Sequence, residues 1–448
     1  MLELPPIDAA DVPRWVEANL TGLYSGAARR SAAFVGGQSE ANRAIDGLNI
    51  AGYAKRRSSV HPPASRGASN LSPYIRHGLL DLPTVHEHPA VAEANSYDRF
   101  RYRGELLWQD YSRQWYAAFG TQTRVGTVYD PAPGKSAARW DREPWPRDMK
   151  CVDATLTELH DDGWIVNQAR MWLASQWSVR AGADWRSGDD EMFRHLLDGS
   201  RAANRQGWQW VVGGTRNRSY GFARRQVMKR AAQFCDDCAL SESCPIGGYP
   251  GSVAGDMIDP APTMSVAHLT PPDPATAEPR LFDAVPTSTS GTSSEARPDA
   301  VWITAESLGD GDPALVAHPE LPVHFVFDEP LLDTLQLDGK RLVFLADCLS
   351  DLAQRRDLTV WRGRPVELFE PTGEAGADRR FAVTRAPVPG FDRITTGQQD
   401  RLELSPWPWL RPPTPKLLDR LGAKRFPSFK DWCRLTKPDA VDRPIAVQ

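Results

Sequence analysis

Long apolar runs are missing from this chain of 448 residues. Nothing in it approaches the roughly 20 consecutive apolar residues that cross a bilayer as a helix, so the sequence offers no membrane partner. The opening residues hold no basic segment followed by an apolar core, the make-up of a secretory leader, and the expectation is a cytoplasmic protein, a monomer. A surplus of positive charge is missing too: 53 Lys and Arg stand against 57 Asp and Glu, for a formal net charge of −4. Overall charge gives no pull toward nucleic acid, whose binders are usually basic, so any such contact must come from a local patch. Cysteine is scarce, six in all. That is too few for a disulfide framework in a chain of this size and suits a metal site in a reducing compartment.

Four of the six cysteines are grouped around one stretch. Cys235, Cys238 and Cys244 form a Cys-x2-Cys-x5-Cys-Pro run, and Cys151 precedes it as the candidate fourth thiolate. Four thiolates suit a zinc ion or an iron-sulfur cluster, and a Cys followed by Pro is familiar from iron-sulfur runs. Cys348 and Cys433 lie far downstream and read as small apolar packing residues.

In chain order, residues 7–26 carry Val12, Val16, Leu20 and Leu23 at helical spacing. Residues 101–119 form an aromatic-rich helix on which Glu105 and Trp108, three apart, share a face. A Pro- and Gly-bearing loop, 126–147, holds Trp140 and Trp145. Between 201 and 230 stand eight basic side chains and no acidic one, interleaved with Trp208, Trp210, Tyr220 and Phe222. Such a surface would bind phosphates and stack bases. Residues 247–299, rich in Pro, Ala, Ser and Thr, read as a linker. After it, short apolar strands at 301–304, 322–328, 358–361 and 381–384 alternate with a helix at 340–355, the pattern of a parallel α/β sheet. The expected units are therefore 1–246, the linker 247–299, and 300–448.

Three motifs in order, Gly163-Trp164-Ile165-Val166-Asn167-Gln168-Ala169-Arg170-Met171, then Asp184-Trp185-Arg186, then Leu197-Asp198-Gly199-Ser200 running through Asn204 to Trp208-Gln209-Trp210, resemble the flavin-binding helical domain of the cryptochrome and photolyase family. With Cys151 before them and the cysteine run after, the chain is similar to the iron-sulfur bacterial branch, in which such cysteines hold a 4Fe-4S cluster. Earlier segments fit the same order: Phe34-Val35-Gly36-Gly37, Tyr53 ahead of Arg57, and Gly67-Ala68-Ser69-Asn70-Leu71-Ser72-Pro73-Tyr74 opening a helix. The fold so implied is a mainly α-helical FAD-binding photolyase-type domain followed by a smaller Rossmann-like parallel α/β domain, the family's two domains in circularly permuted order.

The resemblance implies site residues as well. Tyr53, Ser69, Asn70, Leu71, Ser72, Tyr102, Trp164, Asn167, Arg170, Asp198, Ser200 and Asn204 would bind FAD, the turn at 69–72 taking the diphosphate at a helix N-terminus. Arg170 and Asp198 would pair beneath the flavin ring, with Asn204 facing its redox-active nitrogen. Trp208 and Trp185 would carry electrons to the flavin. Glu105, Trp108, Asn167, Met171 and Trp210 would meet a DNA lesion, with the 201–230 stretch on the backbone. The function implied is light-driven repair of cyclobutane pyrimidine dimers by reduced FAD; Val166 and Asn167, where (6-4) repair enzymes carry a His pair, argue against that lesion. Gln109 and Gln168 replace two family arginines, and Ala305-Glu306 replaces an Arg-Asp pair used by the antenna chromophore. A cryptochrome-like photoreceptor is the alternative, and a cluster with a purely structural role in a nucleic-acid-binding module is a third.

Overall fold

The structure, a computed structural model, describes residues 1–126, 128–131, 145–215, 218–248, 297–370, 379–421 and 426–437. Trp140, Arg216 and nearly all of the expected linker lie outside the described residues.

A six-stranded sheet occupies one side of the molecule. Its strands are β1 (Leu2–Glu3), β2 (Ala300–Ile303), β3 (Val323–Asp328), β4 (Leu358–Gly363), β5 (Phe381–Thr384) and β6 (Leu402–Ser405). The spatial order is β1-β4-β3-β2-β5-β6. Strands β2 to β6 are parallel, as in the pairing of Val301 with Val323 and of Phe381 with Leu402. All four residues of β2 and of β5 are buried, the burial expected of parallel strands covered on both faces. From β2 the chain steps to β3 and β4, then crosses back to lay β5 and β6 on the other side, so the order reverses between β2 and β5. The four strands read from sequence all form. β6 and β1 escape such a reading, since β6 is four residues of weak alternation and β1 is two residues with no period at all.

Helices make up the other side. In chain order those that matter are α1 (Val12–Leu20), α2 (Gln38–Asp46), α3 (Tyr53–Arg56), α4 (Ser72–Arg76), α5 (Ser96–Phe119), α6 (Lys150–Asp162), α7 (Asn167–Ser175), α8 (Trp185–His195), α9 (Arg201–Val212), α10 (Arg224–Arg230), α11 (Ala232–Asp236), α12 (Gly339–Ala353), α13 (Pro415–Leu421) and α14 (Phe429–Leu435). The long α5 starts where the Asn95 side chain accepts the backbone N–H groups of Tyr97 and Asp98, a cap that Asn favours. The Asp98 carboxylate in turn accepts Gly52 N and Ala54 N at 2.8 Å each, which fixes α3 against α5.

Helix α12 is buried almost all round, because it lies between the sheet and the helices. The loop before α2 comes so close that a Cβ added at Gly36 would stand 2.2 Å from the Phe344 carbonyl oxygen; a side chain there would push the two halves apart.

Packing crosses the chain's linear divisions. Strand β1 adds to the far sheet by antiparallel pairing of Leu2 with Arg362, and one apolar core runs from Leu4 to Ala382. At the other end, α13 and α14 return to α5, where Leu417, Phe426 and Trp432 meet Tyr111, Trp115 and Phe119. Two hydrogen bonds pin that return: Tyr111 O–H donates to the Pro427 carbonyl at 2.9 Å, and Trp432 Nε1 donates to Gln114 Oε1 at 2.7 Å. Segments of both expected units, 1–246 and 300–448, thus pack into one another. No helix among the described residues is long and apolar enough to cross a membrane.

Candidate functional site

The sequence motifs converge at the junction of α3, α4, α5, α7, α8 and α9. Ser72 opens α4, and its hydroxyl accepts the Trp164 indole N–H at 2.9 Å. Asn70 takes a left-handed backbone with φ of 57°, a conformation that Asn tolerates, and it delivers the wholly buried Leu71. The rings of Tyr53 and Tyr102 meet edge to face at 5.0 Å. Burial pushes the Tyr102 phenol up to about 12, partly offset by the nearby Ser69 hydroxyl.

Deeper in, Arg170 Nη2 pairs with Asp198 Oδ2 at 2.7 Å, and Arg170 Nε donates to the Ile165 carbonyl. The other carboxylate oxygen of Asp198 is buried and has no hydrogen-bond partner among the described residues. A bare buried acceptor costs on the order of 1–3 kcal/mol, so this oxygen suits a ligand bearing an N–H. On α9, Asn204 Nδ2 donates to both the carbonyl and the Oδ1 of Asp189, at 2.9 and 2.7 Å. Asp189 is itself held by Arg205 at 3.3 Å and Arg201 at 3.7 Å; burial raises its carboxyl all the same. With both amide hydrogens spent on Asp189, Asn204 has only its oxygen to offer a ligand. Ser200 is the N-cap residue of α9, and its side chain makes no capping bond.

The remaining predicted residues lie toward the surface. Asn167 is exposed and reaches Met171 Sδ at 3.9 Å; the ring of Trp210 is 5.4 Å from Tyr220, whose hydroxyl accepts from Gln168 at 2.9 Å. Glu105 pairs with Arg57 at 3.0 Å. Trp108 is 42% exposed, and one of its faces is already covered: the Phe429 ring lies 3.8 Å away at 9°. The sequence reading of Trp108 as an open stacking surface for a base did not foresee this neighbour, which arrives from more than 300 residues downstream.

Trp208 and Trp185 are both buried, and neither indole N–H has a hydrogen-bond partner among the described residues. A third indole, missed by the sequence reading, lies close to Trp208. A Cβ added at Gly188 would stand 2.3 Å from Trp208 Cη2 and 2.8 Å from Trp177 Cδ1, so both rings pack against that glycine. Trp177 continues to Trp145, whose ring is 5.5 Å away. The available signal was Gly188 itself: glycine inside a helix costs roughly 1 kcal/mol against alanine, a reason to look for close packing.

The basic stretch 201–230 does not form one solvent face. Arg205 is buried and Arg201 turned inward, both toward the Asp189–Asp190 carboxylates, because a buried carboxylate beside α9 needs neutralising. Arg224 donates to the Ser241 carbonyl and Arg230 to that of Ser58. Arg218, Arg225 and Lys229 are exposed.

Cys151, Cys235, Cys238 and Cys244 line one cavity with Met149, Arg224, Phe234 and Ile246. All four are free thiols. Burial, and after it the proximity of Cys235, Cys244 and Cys238, pushes the Cys151 thiol up to about 12. Among the described residues no group of three His, Cys, Asp or Glu is placed to hold a single metal ion. Cys348 is buried against Gly36, in the packing role expected of it.

Comparison with known proteins finds a match over part of the chain. Residues 102–237 match the family model described as the FAD binding domain of DNA photolyase. The chain is 30% identical over 178 residues to the deoxyribodipyrimidine photo-lyase of Alkalihalophilus pseudofirmus, covering 36% of this chain and 34% of that protein. It is 33% identical over 176 residues to the protein of the same name from Thermus thermophilus, covering 36% and 38%. The chain thus spans about a third of the length of these curated relatives. A bacterial class III photolyase from Agrobacterium tumefaciens overlays 45% of each chain at 24% identity with a TM-score of 0.39, too partial to decide a shared architecture. Over residues 102–237, the chain is similar to the FAD-binding domain of the photolyase and cryptochrome family.

Proposed function

We propose that the chain binds FAD between α4, α7 and α9 and is a blue-light-driven flavoprotein of the photolyase type, repairing cyclobutane pyrimidine dimers in DNA. The observation that carries the reading is a buried Asp198 oxygen with no hydrogen-bond partner among the described residues, together with an Asn204 locked to present its amide oxygen, both inside the segment matched to a photolyase FAD-binding domain. FAD, when bound and reduced, would supply the electron for dimer splitting on excitation. The chain's own residues hold and orient. Asp198 would accept from a ring N–H while Arg170 balances its charge, and Ser69 to Ser72 would meet the diphosphate at the start of α4. Asn204 would offer an acceptor where a ring nitrogen gains a proton, and Glu105 with Trp108 would stand at the mouth.

The second half of the reading concerns the thiols. Four cysteines line one cavity, and a Cys-x2-Cys-x5-Cys run closed by Pro suits a cluster held by thiolates. We therefore assign them a 4Fe-4S cluster. The strand order and its reversal between β2 and β5 support a Rossmann-like sheet, placed after the helical part as a permuted arrangement would require. An antenna chromophore is left out of the proposal, since Glu306 is engaged with Arg76.

A photoreceptor without repair is favoured by one specific observation, the Phe429 ring on the face of Trp108. Purified protein carrying FAD, mixed with a single-stranded oligonucleotide bearing one cyclobutane dimer, decides between them. Light-dependent return of the two thymines supports repair; flavin-loaded protein that leaves the dimer intact points to sensing.

A further inference from the structure

One face of α5 runs from Trp108, at the mouth of the proposed flavin site, back to Tyr97 at the start of the helix. Residues 97, 101, 104 and 108 recur at helical spacing and so lie in one row, about 16 Å long at 1.5 Å per residue, with Phe100 on its flank. Tyr97 is 54% exposed, Phe100 70% and Trp108 42%, an unusual amount of bare aromatic surface on one helix. Between them a Cβ added at Gly104 would meet nothing within 4 Å, which leaves open ground where a flat ring can lie against the helix. The Arg101 guanidinium stands 5.5 Å over the Tyr97 ring. Beyond Trp108 the row continues to its stacked partner Phe429 and the exposed Lys430.

The flank is cationic. Helix α3, tied to α5 through Asp98, carries the exposed Lys55 and Arg56. The acids on this side are engaged: Asp98 accepts backbone N–H groups, and Glu105 is paired with Arg57.

We propose that this face of α5 is a stacking platform for single-stranded nucleic acid. Separate exposed rings, spaced by a glycine and bordered by Arg and Lys, are what unpaired bases and their phosphates require. A protein partner would call instead for a contiguous apolar patch, and the row contains no exposed Leu, Ile, Val or Met. A duplex keeps its bases stacked inside and could not reach these rings. The inference rests on the photolyase-type reading only for the choice of a nucleic-acid partner. It adds a docking track that leads along α5 to Trp108, and it moves the main strand contact away from residues 201–230.

The test uses the full chain in the dark and a fluorescent, undamaged oligothymidine of 16 nucleotides, with anisotropy read at several salt concentrations. Tyr97→Ser with Phe100→Ser should weaken binding about tenfold or more, given stacking of roughly 1–3 kcal/mol per base. Arg101→Gln should flatten the slope of log K against log salt by about 0.7, the share of one phosphate on a single strand. These side chains are exposed, and an unchanged melting temperature and flavin content verify the fold. Arg225→Gln with Lys229→Gln should leave affinity within about twofold. Wild-type affinity in the α5 variants overturns the proposal, as does loss of binding confined to the 225/229 variant. Light scattering adds a third arm: a wild-type dimer that the Tyr97/Phe100 variant converts to monomer, without a change in strand affinity, makes the face a contact between copies. Failure of the repair reading is visible separately, because undamaged strand can bind whether or not a dimer is split in the light.

Discussion

Asn204 gives both hydrogens of its amide to a single residue, Asp189, one to the carbonyl and one to the side chain. An amide so held cannot flip, and Asp189 is fixed from behind by Arg205. Asn204→Asp would set two carboxyl groups against each other in a buried place, where one must stay protonated. The expected outcome is a several-fold loss of flavin per chain after desalting, or a change in the flavin redox state that persists in air, read from the visible spectrum. Normal flavin with unchanged photoreduction in this variant would falsify the assigned pocket.

Trp177 packs with Trp208 against Gly188 and with Trp145 ring to ring, which makes it a second candidate relay beside the proposed Trp185. Trp177→Phe keeps most of the volume and removes the easily oxidised indole. Blue-light photoreduction by an external thiol should slow several-fold, with flavin content unaltered. Trp185→Phe measured alongside tells which branch dominates; equal rates in wild type and the Trp177 variant would assign the traffic to Trp185.

Asp110 is wholly buried under residues 407–411 and accepts the Arg411 backbone N–H at 2.6 Å. Burial raises its carboxyl to about 7, against the pull of Arg113 and of the Arg411 and Leu410 N–H groups. The native chain therefore holds this proton where the unfolded chain has lost it, between pH about 4 and 7. Through that window the native state binds more protons, so stability contributed here falls as pH rises and levels off above 7. The total is on the order of 4 kcal/mol at most, from three pH units at 1.36 kcal/mol each. In urea unfolding at pH 5 and pH 7.5, wild type should lose stability relative to Asp110→Asn, which keeps an acceptor and carries no charge. Parallel behaviour of the two proteins would mean that Asp110 ionises normally.

For the cysteine cavity, anaerobic protein should contain about four irons per chain, as a cluster on four thiolates requires. Cys244→Ser should reduce this severely, while Cys433→Ser, remote in the chain, should retain it. Zinc in place of iron, at one per chain, would replace the cluster with a tetrahedral site.

Much of the helical half was readable in order. Gly163 to Trp210 carries enough closely spaced, chemically distinct residues that the pairing of Arg170 with Asp198 was expected from the family resemblance, whereas the hydrogen bond from Trp164 to Ser72 was not. The strands at 301–304, 322–328, 358–361 and 381–384 were legible because parallel strands are apolar throughout. Strand β1 was not, since two residues have no periodicity and its partner lies near residue 362. The return of α14 to α5 was illegible for the same reason: Phe429 stacks on Trp108 through a long-range contact that leaves no trace in local spacing.

The basic stretch makes the division plain. Composition alone counted eight cations between 201 and 230 and read them as one surface, because charge is a property of the residue. Whether a cation faces water depends on what lies beneath it. Asp189, buried on the neighbouring helix, drew Arg205 and Arg201 inward, since an unpaired charge in the interior costs more than a surface pairing returns. Residue types, their spacing and the run of helices and strands belong to the sequence by itself; which ring covers Trp108, which amide Asp189 holds and which arginines reach solvent were decided only when distant segments packed together.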